Sequence, residues 1–204
     1  MNLTEPQHPL LAIVRGTDAD AALKTVLTLA DEDITAIEVS LTTANALKVI
    51  ERARDALGAH VLLGAGTVIT PDDAARAADA GAGFLVTPGL LDAPLPDLPV
   101  VMGAFTPTEI ITARDRGARA VKLFPSSLSG PGYLRALRQP FPDVPFVPVG
   151  GIDLADARAY LAAGALAVGV GSPLIGDAAD GGDLDALRLR ARTWHCALTD
   201  EVTR

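Results

Sequence analysis

Short runs of β-branched and apolar residues recur along the chain at regular intervals: LLAIVR from Leu10, AIEVSL from Ala36, VLLGAG from Val61, FLVTP from Phe84, VVMGAF from Val100, AVKLFP from Ala120, FVPVGG from Phe146 and AVGVGS from Ala167. Runs of this length bounded by glycine and proline read as buried strands. Between most of them lie stretches of alanine, leucine and charge, such as DADAALKTVLTLADED, TANALKVIERARDAL, PDDAARAADAG, PTEIITARDRG and DLADARAYLAAG. These carry the composition and periodicity of amphipathic helices. The order is strand then helix, repeated eight times.

Several helices mark their own ends. Thr70 with Pro71, and Thr106 with Pro107, read as an N-cap followed by proline at the first helical position, while Gly81, Gly117 and Gly164 read as C-terminal caps. The connection from Pro88 to Pro99 is rich in proline and too short for a full helix, so one of the eight helices is expected to be a stub. Eight β/α units in 204 residues leave about 25 residues each, at the small end for a closed parallel barrel. The expected fold is therefore a compact (β/α)₈ TIM barrel, with residues 1–204 forming one domain. An open doubly wound sheet would stop at fewer strands and carry a glycine-rich first turn, and VRGTDAD after the first strand is not GxGxxG.

Composition narrows the chemistry. Hydrophobic residues make up 49%, charged residues 21% and aromatics 4%, which suits a globular domain and leaves little for stacking bases. The formal charge of −8 repels nucleic acid and anionic lipid, so the reading is no nucleic-acid partner and no membrane partner, and any small anionic substrate needs a local positive site. The uncharged stretch from Ala159 to Gly176 approaches the length of a membrane span, but four glycines and Pro173 divide it into a helix end, a strand and a loop. The N-terminus lacks the pattern of a signal peptide, and the single Cys196 suits a reducing compartment, so a cytoplasmic location is expected. His8, His60 and His195 show no ligand spacing, so no metal is expected, and the acidic GDAADGGDLD stretch from Gly176 reads as a solvated loop. Trp194, His195 and Cys196 fall in the last helix, where they suit packing or contact between subunits.

Strand parity singles out two charges. In the second strand Ile37, Val39 and Leu41 suit the strand–helix interface, which turns Glu38 into the barrel; in the sixth, Val121 and Leu123 do the same and turn Lys122 inward. A charge on the inward parity is costly unless it is paired, solvated or neutralised, so this placement fits either a structural ion pair or catalysis. The lysine inventory bears on the choice. The chain has fourteen arginines but only three lysines, and Lys24 and Lys48 lie in amphipathic helices where they read as solvated. Arginine cannot serve as an amine nucleophile, whereas a desolvated lysine can lose its proton and attack a carbonyl. With Glu38 as proton shuttle, Lys122 predicts class I aldolase chemistry. The loops after strands six to eight are rich in glycine and hydroxyls, where barrels commonly hold phosphate, which nominates Gly150, Gly151, Gly171 and Ser172, with Ser127 beside them.

The ordered motifs IVRG (Ile13 to Gly16), IEVSL (Ile37 to Leu41), GAGTV (Gly64 to Val68), VTPG (Val86 to Gly89), VKLFPSS (Val121 to Ser127), VGG (Val149 to Gly151) and GVGS (Gly169 to Ser172) resemble the 2-keto-3-deoxy-6-phosphogluconate and 6-phosphogalactonate aldolases over residues 9–198. The resemblance implies Lys122 as the Schiff-base lysine and Glu38 as the general acid/base. It also implies Thr67 and Pro88 beside the pyruvyl moiety, Arg15 as a substrate contact, the glycine loops as the phosphate site, no cofactor and a homotrimer. The implied partner is a phosphorylated 2-keto-3-deoxy sugar acid, split reversibly to pyruvate and D-glyceraldehyde 3-phosphate.

The pattern also departs from the family. Thr42 stands where the gluconate type usually has arginine and the galactonate type often has asparagine, while FPSSLSGPGYLRAL at Phe124 to Leu137 is closer to the galactonate branch. Met102-Gly103 and Phe105 replace the usual PG and a small residue, and are expected to reshape the pyruvyl side of the pocket. The gluconate isomer and 4-hydroxy-2-oxoglutarate are alternative substrates. A phosphosugar epimerase and a noncatalytic sugar-phosphate-binding barrel are more distant alternatives.

Overall fold

Strand and helix alternate as the pattern predicts. The computed structural model describes residues 9–92 and 96–202. The strands are β1 (Leu10–Val14), β2 (Ala36–Ser40), β3 (Leu62–Gly66), β4 (Leu85–Val86), β5 (Val100–Ala104), β6 (Ala120–Leu123), β7 (Phe146–Pro148) and β8 (Val168–Val170). The helices are α1 (Ala19–Asp31), α2 (Ala46–Leu57), α3 (Pro71–Asp79), α4 (Pro107–Asp115), α5 (Gly130–Arg138), α6 (Leu154–Ala162), α7 (Ser172–Ile175) and α8 (Leu184–Val202). All strands pair in parallel in the order β7-β6-β5-β4-β3-β2-β1-β8, and a parallel bridge between Val149 and Gly169 closes the ring into a barrel.

The helix punctuation works as the residues require. Thr70 and Thr106 each form a full capping box, with the side chains of Asp73 and Glu109 reaching back to the cap amides and proline in the first turn. After α3, α4 and α6, Gly81, Gly117 and Gly164 adopt φ of 90°, 77° and 91°. The following amides, of Ala82, Ala118 and Ala165, each return to a carbonyl of the last turn, satisfying acceptors the helix leaves open. Two expectations change. The fourth strand shrinks to two residues, and the link from β4 to β5 contains no helix among the described residues, with 93–95 outside them. The acidic stretch after Gly176 is not merely solvated: Ala178 and Ala179 are buried, and Asp180 accepts hydrogen bonds from the amide and hydroxyl of Thr17 at 2.6 and 2.8 Å.

Burial follows strand parity. Ile37, Val39, Val121 and Leu123 join the large apolar layer between sheet and helices. A separate small cluster of Leu11, Ala36, Phe84, Val86, Val101, Ala120, Val147 and Val149 fills the barrel interior. Ala36 and Ala120 begin their strands. Glu38 and Lys122 lie two residues further along, towards the C-terminal face. The stretch from Ala159 to Gly176 divides into the end of α6, then β8 and α7. No helix among the described residues is long and apolar enough to cross a membrane.

Candidate active site

Barrel interiors are normally filled by layers of branched side chains. Here the layer above the apolar plug is opened by glycine. In the sheet register Glu38 lies beside Gly64 of β3, and Lys122 lies beside Gly103 of β5. Neighbours in register share a face, so neither charge has a side chain beside it at that position; the Phe84 ring fills the space at Gly64 and the Pro88–Gly89 backbone that at Gly103. A Cβ on Gly64 would run into the Phe84 ring, one on Gly66 into the Glu38 carboxylate and one on Gly169 into Val149. The missing side chains make room for the ring that plugs the barrel and for the carboxylate above it.

The result is a cavity of about 450 Å³ at the C-terminal face, lined by Ile13, Arg15, Glu38, Thr67, Pro88, Lys122, Phe124, Val149 and the loops after β7 and β8. Lys122 is 7% exposed and Glu38 2%, whereas Lys24 and Lys48 are exposed on helices. Burial is the main influence on both charges. It pulls the Lys122 amine below the ordinary lysine range, with Arg15 adding to the effect and Glu38 opposing it. It pushes the Glu38 carboxyl above the ordinary carboxylate range, with Lys122 and then Arg15 opposing. Glu38 Oε2 is buried without a hydrogen-bond partner. An unpartnered buried carboxylate oxygen is expensive, and at the wall of a cavity it is available to a proton on a bound molecule.

The cavity also collects the supporting residues. Arg15 leaves the end of β1, and Pro88 follows β4. Thr67 follows β3 with φ of 60°, in the left-handed region that β-branched residues avoid. The turn after β7 holds Gly150 and Gly151 at φ of 98° and 68°, and with Gly171 and Ser172 this backbone forms the wall opposite. Ser127 lies behind that wall, not on it: its amide donates to the Gly150 carbonyl, and its Cβ occupies the space a Gly151 side chain would need. The preceding Ser126 is structural, with its hydroxyl donating to the Leu123 carbonyl while accepting from the Val149 amide.

Three departures noted in the sequence fall outside the cavity wall. Met102 is buried in the sheet–helix layer, and Phe105 packs at 5.2 Å from the Tyr133 ring, whose hydroxyl donates to the Phe105 carbonyl. Neither side chain is in the cavity lining: Met102 lies on the helix side of β5, and Phe105, just past the end of that strand, packs against the sheet–helix layer and Tyr133. Thr42 is exposed and, among the described residues, hydrogen-bonds towards the site through Ser40, 2.8 Å away. Strand parity alone gave no role to Phe124, which lines the cavity with its ring 5.1 Å from the Lys122 amine. Nor did it single out Ser40. Among the described residues no group of three or more histidines, cysteines or carboxylates is arranged to hold a metal ion.

Residues 3–188 match the family model described as KDPG and KHG aldolase. This chain belongs to that family. It is 40% identical over 164 residues to the 2-dehydro-3-deoxy-phosphogluconate aldolase of Pseudomonas aeruginosa, covering 76% of this chain and 71% of that one. It is 36% identical over 172 residues to the 2-dehydro-3-deoxy-6-phosphogalactonate aldolase of Escherichia coli strain K12, covering 81% and 84%. A solved structure described as native KDPGal superposes with a TM-score of 0.91 at 31% identity, over 100% of both chains.

Proposed function

We propose that this protein is a class I aldolase that reversibly cleaves 2-dehydro-3-deoxy-6-phosphogalactonate to pyruvate and D-glyceraldehyde 3-phosphate. The observation that carries the reading is the pairing of a buried lysine of lowered basicity with a buried carboxyl of raised pKa in one cavity of a family barrel. A lysine whose pKa is lowered by burial gives up its proton more readily than a free one and can then attack a keto carbon, which arginine cannot.

In this reading the Lys122 amine adds to C2 of the keto acid, and the hydroxyl of the resulting carbinolamine leaves as water with a proton taken from solvent, giving a protonated imine. Glu38 takes the proton from the C4 hydroxyl, the C3–C4 bonding electrons move towards the imine, and the aldehyde departs. The enamine left on Lys122 regains a proton at C3, and water then hydrolyses the imine to release pyruvate and the free amine. A carboxyl whose pKa is raised by burial holds a proton more readily than a free one and suits both directions of proton transfer. In this reading Thr67 and Pro88 stand beside the pyruvyl half, Arg15 meets the substrate, and the backbone of Gly150, Gly151, Gly171 and Ser172 surrounds the phosphate, with Ser127 supporting that turn; the family resemblance and the shared cavity support these roles. The same resemblance supports a homotrimer without a cofactor, and a phosphorylated metabolite together with a lone thiol supports a cytoplasmic enzyme.

The galactonate isomer is preferred on the likeness of Phe124 to Leu137 to that branch; the gluconate isomer is the competing substrate, as the Pseudomonas relative's name reflects. Incubation with pyruvate and borohydride, followed by peptide mass mapping, tests the chemistry. A reduced adduct on Lys122 is expected, and its absence, or its appearance on another residue, overturns the assignment. Comparison of kcat/KM for the two phosphosugar acids tests the substrate, with a preference for the gluconate isomer overturning that choice.

A further inference from the structure

Ser40 closes β2 and is fully buried, yet it does not line the cavity. Its hydroxyl lies 2.8 Å from the hydroxyl of Thr67, 2.8 Å from that of Thr42 and 3.4 Å from Arg15 Nε. The Thr42 amide also points at it from 3.4 Å. Two of these partners, Arg15 and Thr67, are cavity residues carried by the loops after β1 and β3, the strands on either side of β2. Among the described residues, Ser40 is the only hydrogen-bonding partner of the Thr67 hydroxyl.

Hydroxyl valence then constrains the direction of the chain. A serine hydroxyl has one proton to give and two lone pairs to accept with, and a guanidinium can only donate. The Thr42 amide at 3.4 Å is a weak contact beside its own hydroxyl at 2.8 Å, so with Arg15 on one lone pair a single lone pair and the proton are left for the two hydroxyls, and the Ser40 proton goes either to Thr67 or to Thr42. If it goes to Thr67, the Thr67 proton is left free to point into the cavity. If it goes to Thr42, Thr67 must spend its proton on Ser40 and offers the cavity lone pairs alone. A carboxylate accepts and cannot donate, so an anionic ligand at Thr67 selects the first arrangement.

The geometry points to Ser40 as a positioning residue: it receives from Arg15, donates to Thr67, and so turns the Thr67 hydroxyl into a donor aimed at the carboxylate of the bound keto acid. This rests on the aldolase reading, which places that carboxylate in the cavity. Thr42 competes for the Ser40 proton from its exposed position, so its hydroxyl opposes the productive direction. Thr67 has its backbone fixed in a left-handed conformation that its β-branched side chain disfavours, and the bond to Ser40 holds the hydroxyl orientation of that residue.

The test follows pyruvate capture on Lys122 by borohydride as pyruvate concentration is varied, in Ser40→Ala, Ser40→Thr, Thr42→Val, Thr67→Val and the Ser40→Ala/Thr67→Val double variant. Ser40→Ala is expected to raise the half-saturating pyruvate concentration about tenfold, as loss of one hydrogen bond to a charged ligand would, with the saturated rate within about twofold of wild type. The double variant is expected to match Thr67→Val alone, because Ser40 acts through Thr67. Ser40→Thr, which keeps the hydroxyl, is expected to restore most of the affinity. Thr42→Val removes the competing acceptor and is expected to leave affinity unchanged or improved.

Multiplying effects of Ser40→Ala and Thr67→Val, or weakened binding in Thr42→Val equal to that in Ser40→Ala, overturn the inference while the aldolase reading stands. If Ser40→Ala does not fold, the Thr42→Val result decides by its sign. A wild-type protein that forms no adduct at all removes the aldolase reading and this inference with it.

Discussion

The carboxylate of Glu38 rests against Gly66, on the neighbouring strand, in space that any β-carbon there would occupy. The position of the acid is therefore set by an absence. Gly66 has an ordinary strand backbone, so alanine fits the main chain while displacing Oε1. Gly66→Ala is expected to lower turnover about a hundredfold, the scale of a small misplacement of a reacting group. Its circular dichroism spectrum should remain that of wild type. Unchanged turnover would show that the carboxylate does not need this seat.

Lys122 and Glu38 have separable tasks. Lys122→Arg keeps the charge and loses the nucleophile, so no pyruvate adduct and no turnover are expected. Glu38→Gln keeps the shape and loses the proton carrier, so it should still form adduct while turnover drops by about 10²–10⁴-fold. Mass mapping measures the first and a coupled assay of aldehyde release measures the second. Adduct on Lys122→Arg would reject the assignment.

The pH dependence of capture carries a sign. Capture needs the neutral amine, so at saturating pyruvate its rate should rise with pH through the Lys122 pKa, at a midpoint below the ordinary lysine value of 10.5. The charge on Glu38 raises that pKa and the charge on Arg15 lowers it. Glu38→Gln should accordingly shift the midpoint to lower pH and Arg15→Leu to higher pH. Shifts in the opposite directions, or none, would mean that these groups do not sense one another across the cavity.

Stability is expected to respond at the helix starts, away from the chemistry. Thr106 accepts from the Glu109 amide and completes a capping box. Thr106→Ala should lower unfolding free energy by about 1 kcal/mol, read from urea denaturation, with pyruvate capture unaltered. A loss of capture at equal stability would connect this helix to the site in a way its hydrogen bonds do not suggest.

The barrel was legible in the sequence because its signals are local. The capping boxes at Thr70 and Thr106 and the glycine stops at Gly81, Gly117 and Gly164 depend on neighbours within one turn. Parity likewise turned Glu38 and Lys122 inward, since alternation along a strand needs no knowledge of distant residues. What stayed hidden depends on register between strands. That Gly64 flanks Glu38 and Gly103 flanks Lys122 follows only from pairing. Met102 and Phe105 occupy the outward side of the fifth strand and its exit, and position in the family pattern alone did not reveal that. Ser40 shares the inward parity of Glu38, but its three partners come from three different loops, so no single stretch of sequence announces it. Asp180 escaped for the same reason, since its partner Thr17 is 163 residues away.

The apolar plug around Phe84 makes the cavity a dead end. Whatever enters from the C-terminal face has to go back out the same way, and the amine sits at the inner end of that passage while the glycine turns stand at its threshold. In the proposed reaction the half carrying phosphate is thus nearer the exit and the half attached to the enzyme is behind it. Traffic becomes last in, first out: the aldehyde clears the doorway before pyruvate, and in the condensing direction pyruvate has to arrive first.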